Sequence, residues 1–338
     1  MDPTTRRTVG RTGVEVTQLG LGCAPLGEVS SRRTEEETLS TLRAAWEAGI
    51  RYFDTSPWYG RGLSELRTGA GLRDRQRDEY VLSSKVGRWL RAHVSPDRFD
   101  VSPWAGGLEF EVVFDYTYDG ILRSYEQSQI RLGLQRYDLV VIHDLDHVNH
   151  QPEARLNAYV DQLAASGWRA ICELKAAGLV RGVGVGINDV GLIPHFLELM
   201  DPDFFLVASA YTLLRQDTLE VEFPAAVSRG AALVVAPFQS GLLARGSAGG
   251  PLPRSAPPET LERVRRIDEV CARFKVPLAA AALQFPLGHP SVAAVIPGAS
   301  TREHVERNVE NFRHPIPADL WAELKHEGLV RSDAPTPT

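Results

Sequence analysis

The sequence predicts an α/β chain folded as a closed (β/α)8, or TIM-type, barrel, with an N-terminal hairpin and long loops over its C-terminal mouth. Three observations carry this expectation. Short apolar strand patterns alternate with helical ones, eight such strands can be counted, and three consecutive strands each end in an ionisable residue. The strands are β-branched and apolar throughout, as expected when both faces are buried. A doubly wound open sheet is the main rival, but regular βα units without a domain break favour closure, and residues 1–338 are expected to form one barrel domain.

The elements follow in order. RTVGRTGVEVTQLGLG reads as a hairpin turning at Gly13, then a first strand ending near Gly22. Thr34 as N-cap with Glu37 three residues on opens an amphipathic helix, which Gly49 stops. Further strands are expected at 51–54, 80–85, 139–143, 181–185, 204–208, 232–236 and 293–296. Helices are expected at 118–132, 155–177, 190–200, 219–229, 258–274 and 301–312. Two long segments interrupt the rhythm. Residues 86–117 carry Trp89, Phe99, Trp104, Phe110 and Phe114, and a loop of that length is expected to fold over the mouth. Residues 244–258 read as a flexible Gly/Pro/Ser connection, and the tail at about 331–338 as disordered.

Composition narrows the function classes. Hydrophobic residues make up 43% and charged residues 24% of the 338, an ordinary balance for a globular chain. A net charge of -6 without a basic stripe argues against nucleic acid. No run of about 18 apolar residues offers a membrane span. MDPTTRRTVG lacks the apolar core of a secretory signal, so a cytoplasmic location is expected. Cys23, Cys172 and Cys271 are odd in number and far apart, and read as buried thiols of a reducing compartment.

Four polar residues point to chemistry. Asp54 closes IRYFDTS, Lys85 closes YVLSSK, His143 closes DLVVIH, and Tyr59 follows Asp54 in the loop SPWYG. Basic residues are nearly all Arg; the only lysines are Lys85, Lys175, Lys275 and Lys325. An ammonium at a strand end, beside a carboxylate and a phenol, can tune the phenol's proton affinity. A metal-dependent barrel hydrolase is a rival, with His143, Asp144, Asp146 and His147 as its cluster, and so is a Schiff-base aldolase using Lys85. GVGVG at 182–186 superficially suggests a dinucleotide fingerprint, but its third glycine is misplaced for GxGxxG.

Asp54, Tyr59, Lys85 and His143, within FDTSPWYGRGLSE, LSSKVGR and LVVIHD, resemble the catalytic tetrad of the aldo-keto reductases, and the likeness spans residues 7–312. The resemblance implies hydride transfer with a nicotinamide cofactor, NAD or NADP. Tyr59 is then the acid/base, Lys85 held by Asp54 tunes it, and His143 binds the reacting oxygen. It further implies cofactor contacts from Gly22, Cys23, Asp54 and Asn188, from Pro237, Phe238, Gln239, Ser240, Gly241 and Leu243, and from Gly298, Ser300, His304, Arg307 and Asn308. Ser300 is expected to cap the helix at 301–312 with Glu303 as capping-box partner. The usual nicotinamide-stacking aromatic is Val235 here, with Phe238 as its substitute. The basic pair that grips a 2′-phosphate in many members is replaced by Gly298 and His304, which favours NAD. VFDYTYDGILRSYEQSQIRLGLQRYDLVVIHDLD resembles the D-threo-aldose (L-fucose) 1-dehydrogenase branch most, with the pyridoxal 4-dehydrogenase branch as alternative. Both turn a cyclic hemiacetal into a lactone, and Trp58, Trp89 and His143 are expected to meet such a substrate. A non-catalytic, cofactor-sensing subunit of a channel is the reading from another class.

Overall fold

The computed structural model describes residues 1–95, 99–245 and 256–338. The N-terminal hairpin forms as expected: β1 (Arg6–Thr8) pairs antiparallel with β2 (Glu15–Thr17) around the turn at Gly13. The barrel strands are β3 (Leu21–Gly22), β4 (Tyr52–Asp54), β5 (Val81–Val86), β8 (Leu139–Ile142), β9 (Gly182–Ile187), β10 (Phe204–Ala208), β11 (Ala232–Ala236) and β12 (Val292–Val295). They pair in parallel in the order β3-β4-β5-β8-β9-β10-β11-β12. Parallel bridges Leu19–Val295 and Gly22–Gly298 join the first strand to the last and close the barrel. Apolar residues from alternate strand positions fill its interior in one cluster (Tyr52, Leu139, Phe204, Val234), while their neighbours meet the helices outside in another.

The remaining two strands lie in the segment expected to be a loop. β6 (Arg88–Ala92) and β7 (Phe110–Phe114) form an antiparallel ribbon in full register from Arg88–Phe114 to Ala92–Phe110. The ribbon leaves the barrel at Gly87, whose φ of +94° redirects the chain after β5.

Thirteen residues of α1 (Glu35–Glu47) begin with the Thr34–Glu37 capping box as read. It is followed by α2 (Leu63–Leu72), which the helical pattern did not reveal, and by α3 (Tyr118–Leu132) at its expected bounds. The long helix expected at 155–177 is three pieces: α4 (Glu153–Gln162), a π-helical turn (Leu163–Gly167) and α5 (Trp168–Ala176). Then come α6 (Leu192–Leu199), α7 (Glu222–Ser228), α8 (Leu242–Arg245), α9 (Pro258–Arg273), α10 (Leu278–Gln284), α11 (Arg302–Arg313) and α12 (Ala318–His326). No single helix among the described residues is long and apolar enough to cross a membrane.

Three expectations need correction or limits here. The tail is not loose: Ala334 is buried, Arg331 N–H donates to Gln216 Oε1, and Gly288 packs against the backbone of Thr336. Its polar composition hid these few contacts. Cys172 is exposed, whereas Cys23 and Cys271 are buried. The Gly/Pro/Ser connection expected at 244–258 lies mostly outside the described residues.

Candidate active site

Strand ends bring the expected ionisable groups together. Asp54 and Lys85 end or nearly end adjacent strands β4 and β5, and Lys85 Nζ donates to Asp54 Oδ2 at 2.6 Å and to Thr55 O at 2.8 Å. Ser83 Oγ donates to the other carboxylate oxygen at 2.6 Å. Both side chains are buried, so each charge is supported by its partner and by hydrogen bonds.

Tyr59 is placed mainly by backbone packing. Its loop runs through three positive φ angles, at Gly60, Arg61 and Gly62, which turn the chain from β4 into α2. Gly27 lies so close that a Cβ there would meet Tyr59 C at 2.5 Å, and one on Gly107 would meet Gly60 O at 2.8 Å. Leu108 N–H donates to Gly60 O at 2.9 Å. Glycine is required at these contacts because the loop is held main chain against main chain. The Tyr59 ring then sits 4.8 Å from Lys85 Nζ and edge-on to His143, with ring centres 5.8 Å apart.

The proton affinities differ in one respect from the sequence expectation. Burial pushes the Tyr59 phenol up to about 12, outweighing the lowering effect of Lys85; Asp54 and Asp144 push the same way as burial. Lys85 thus moderates the rise without reversing it. Burial, and then the cations Arg88 and Lys85, hold His143 well below the usual histidine value, so its imidazole is neutral. Ser56 Oγ accepts from Trp58 N–H at 3.0 Å and lies 3.0 Å from His143 Nδ1, able to donate to it. Nε2 faces the carboxylate oxygen Asp144 Oδ2 at 3.4 Å, a setting that suits the ring proton on Nε2. A phenol, an ammonium and a neutral imidazole N–H around one mouth can exchange a proton with a bound oxygen and polarise it.

The aromatic residues divide by face. Trp58 packs edge-on against Trp104, with ring centres 5.4 Å apart, and Trp104 lies 6.2 Å from Tyr59. Trp89, expected beside the substrate, is on the other side of the ribbon: its Nε1 donates to Asp115 and Arg123 stacks on its ring. The strand alternates, so Arg88 faces Trp58 while Trp89 faces away. Arg88 and Ser56 were not identified as site residues, and Asp144 entered the sequence reading only as a ligand of the rival metal cluster, although its place directly after His143 was a signal.

The expected cofactor residues gather at the neighbouring rim. Asn188, just past β9, donates through Nδ2 to Asp144 Oδ1 at 2.9 Å and Asp146 Oδ2 at 2.6 Å, leaving Oδ1 to accept elsewhere. After Pro237 and Phe238, the residues Gln239, Ser240 and Gly241 all have positive φ, curling the backbone tightly at the end of β11. Such a curl can turn successive N–H groups toward an anion. Leu243 is in the core, and so is Val235. Cys23 has its thiol fully buried, as expected, and its N–H donates to Asp54 O. Gly22 and Gly298 form the closing bridge, and a side chain on Gly298 would strike Pro25 at 2.9 Å. Asn308 Nδ2 donates to Gly298 O, and Arg307 is exposed on the same helix.

The cap of α11 is Thr301, one residue later than expected, with its Oγ accepting from His304 N–H at 3.3 Å. Ser300 instead reaches His304 Nδ1 at 3.1 Å. Two adjacent hydroxyl residues made the register ambiguous. Around His143, Asp144 is engaged by Arg88, and Asp146 by Asn149 and Asn188, so these side chains serve hydrogen bonding at the mouth. Among the described residues no three His, Cys, Asp or Glu side chains are grouped to hold a metal ion.

The match to the aldo/keto reductase family covers residues 18–327. The chain belongs to that family. It is 40% identical to a pyridoxal 4-dehydrogenase of Microbacterium luteolum, over 96% of this chain and 98% of that protein. It is 36% identical to a D-threo-aldose 1-dehydrogenase of a Pseudomonas species, over 98% and 99%. In fold it is similar to an aldo-keto reductase of Bacillus halodurans solved in its holo form, with a TM-score of 0.73, 24% identity and 98% of each chain covered. The chain is an oxidoreductase of this family, whose members use nicotinamide cofactors.

Proposed function

We propose that the chain is a single-domain cytoplasmic enzyme that uses NAD to oxidise a cyclic hemiacetal, the C1 hydroxyl of an L-fucose-like aldose, to a lactone. The observation that carries this reading is the grouping of Tyr59, the Lys85–Asp54 pair and neutral His143 at one end of the barrel. Tyr59, in its phenolate form, removes the hydroxyl proton. Lys85, held by Asp54, offsets part of the penalty for a buried phenolate. His143 Nε2–H donates to the reacting oxygen and fixes its position. The nicotinamide, when bound, supplies the hydride acceptor.

The rim residues fit such a cofactor. Asn188 Oδ1 is left to accept from a carboxamide, the curl at 237–241 receives the pyrophosphate, and Gly298, Ser300, His304, Arg307 and Asn308 line the adenosine end. NAD is preferred over NADP because Gly298 and His304 stand where many family members carry the basic pair that grips a 2′-phosphate; Arg302 is engaged at the surface by Glu47 at 2.6 Å and Glu306 at 3.0 Å.

A second substrate is favoured by one observation, the wall made by Trp58 and Trp104 beside Tyr59, which suits a flat aromatic ring such as pyridoxal, giving 4-pyridoxolactone. Incubation with NAD or NADP and either L-fucose or pyridoxal, followed by reduced-cofactor absorbance, separates the two. Turnover of L-fucose with NAD supports the first reading and turnover of pyridoxal the second. Activity confined to NADPH-driven aldehyde reduction overturns both.

A further inference from the structure

The ion pair between Arg88 and Asp144 is more than a tie between the ribbon and β8. Arg88 Nη2 donates to Asp144 Oδ2 at 2.5 Å, and the guanidinium lies 4.5 Å from the centre of the Phe114 ring and 5.2 Å from that of Trp58. Arg88 is only 2% exposed, yet its Nε–H has no hydrogen-bond partner. A buried donor left unpaired forfeits its hydration, and native structures pair most such groups. Trp104, packed on Trp58 and Tyr59, has a second such donor: its Nε1–H is buried and unpartnered.

Asp144 has matching features. Its φ is +48°, a left-handed turn that aspartate accommodates better than most residues. The turn aims its carboxylate between Arg88, Asn188 and His143 Nε2. The contact to His143 is long, at 3.4 Å. When Nε2–H turns to a reacting oxygen, Asp144 Oδ2 regains a free lone pair on the substrate side.

An acceptor and an unpaired donor side by side, next to the imidazole that holds the reacting oxygen, are matched by a group that both gives and accepts a hydrogen bond. We propose that Arg88 and Asp144 form a specificity subsite for the hydroxyl on the carbon next to the reacting one, C2 of a cyclic aldose. The C2 hydroxyl donates to Asp144 Oδ2 and accepts from Arg88 Nε–H. This rests on the hemiacetal reading above, and it favours an aldose over pyridoxal, whose ring-borne phenolate oxygen would face the carboxylate without a proton to give.

The test compares L-fucose with 2-deoxy-L-fucose at saturating NAD, in the parent enzyme and in Asp144→Asn and Arg88→Gln. The parent enzyme is expected to prefer L-fucose by about 10- to 100-fold in kcat/KM, the range for a hydrogen bond to a charged group. Each variant should lose most of that preference, read as the ratio of kcat/KM for L-fucose to that for 2-deoxy-L-fucose within the same variant, whatever it does to both sugars together. A purely structural pair would depress both sugars alike, and that result, or equal turnover of both by the parent enzyme, overturns the subsite while leaving the hemiacetal reading intact. If neither sugar turns over, titration of the enzyme–NADH complex with both decides: a preference for L-fucose that Asp144→Asn abolishes supports the subsite even as the reaction assigned to it fails. No difference in binding overturns both.

Discussion

Lys85–Asp54 inside the barrel and Arg88–Asp144 at its mouth are both buried ion pairs built at strand ends, yet their surroundings differ. Around the inner pair the hydrogen bonding is closed: Lys85 reaches Asp54, Thr55 O and the Tyr59 phenol, and Ser83 takes the second oxygen of Asp54. Around the outer pair it is open, with an unpaired N–H on Arg88 and a long, replaceable contact from Asp144 to His143. The closed pair fixes a charge next to a proton donor. The open pair leaves bonding capacity for a visitor. Burial of a pair is thus not enough to tell support from recognition; the unmet donors and acceptors decide.

The largest effect that would sharpen this contrast is on the group the inner pair serves. Tyr59→Phe removes the proton carrier and one hydrogen bond of Lys85 but keeps both ion pairs, so kcat should fall by about 10²- to 10⁴-fold while the dissociation constant for NAD stays within error. Near-native turnover in that variant would remove Tyr59 from the mechanism. Next, Lys85→Met opens the closed network and leaves Asp54 as an unpaired buried charge. Denaturant titration should show a loss of about 3–5 kcal/mol. What activity survives should need higher pH, since Lys85 lowers the phenol and Asp54 raises it. An unshifted alkaline limb would mean that the phenol is not the titrating group.

The mouth is probed by a pair of tryptophans. Trp104→Ala removes a ring packed on Trp58 and Tyr59 and should raise KM roughly 10-fold, the scale of a lost aromatic contact at about 1–1.5 kcal/mol. Trp89→Ala, on the outer face of the ribbon, should leave KM unchanged. Equal effects would contradict the assignment of faces. The smallest effect concerns His143, which lies between the two pairs and is discharged by burial and by both cations. A histidine that stays neutral in the fold while the unfolded chain takes up a proton destabilises the fold as pH drops below its ordinary value. His150 and His289 are shifted the same way by burial. The melting temperature should therefore decline from pH 7 to pH 5, through the region of about 6.5. A flat profile would show that these rings titrate freely.

The inner pair was the more legible of the two from sequence. Asp54, Lys85 and His143 each end an apolar run, and a residue in that position announces itself. Arg88 was hidden because the ribbon after β5 carries no short turn: 17 residues separate β6 from β7, and no hairpin signature links them. Without the ribbon the pleat cannot be counted, and Trp89 drew attention only as an aromatic. α2 was missed because Thr68, Gly69, Ala70 and Gly71 dilute its helical pattern; Gly69 is small because it abuts the backbone of Leu132. The π-helical turn within 163–167 has no marker in side-chain periodicity. Cap register at Ser300 and Thr301 is a matter of one hydroxyl against another.

The glycine contacts beneath Tyr59 have a consequence for anyone wishing to redirect this protein. Gly27, Gly60 and Gly107 seat the phenol through main-chain contact, while Trp58, Trp104 and Arg88 shape what approaches it. The seating of the phenol is therefore separable from the two tryptophans that face it. A combinatorial library at Trp58 and Trp104 should yield new substrate ranges at intact chemistry, whereas Gly27→Ala, which would strike the main chain of Tyr59, should silence them all at once.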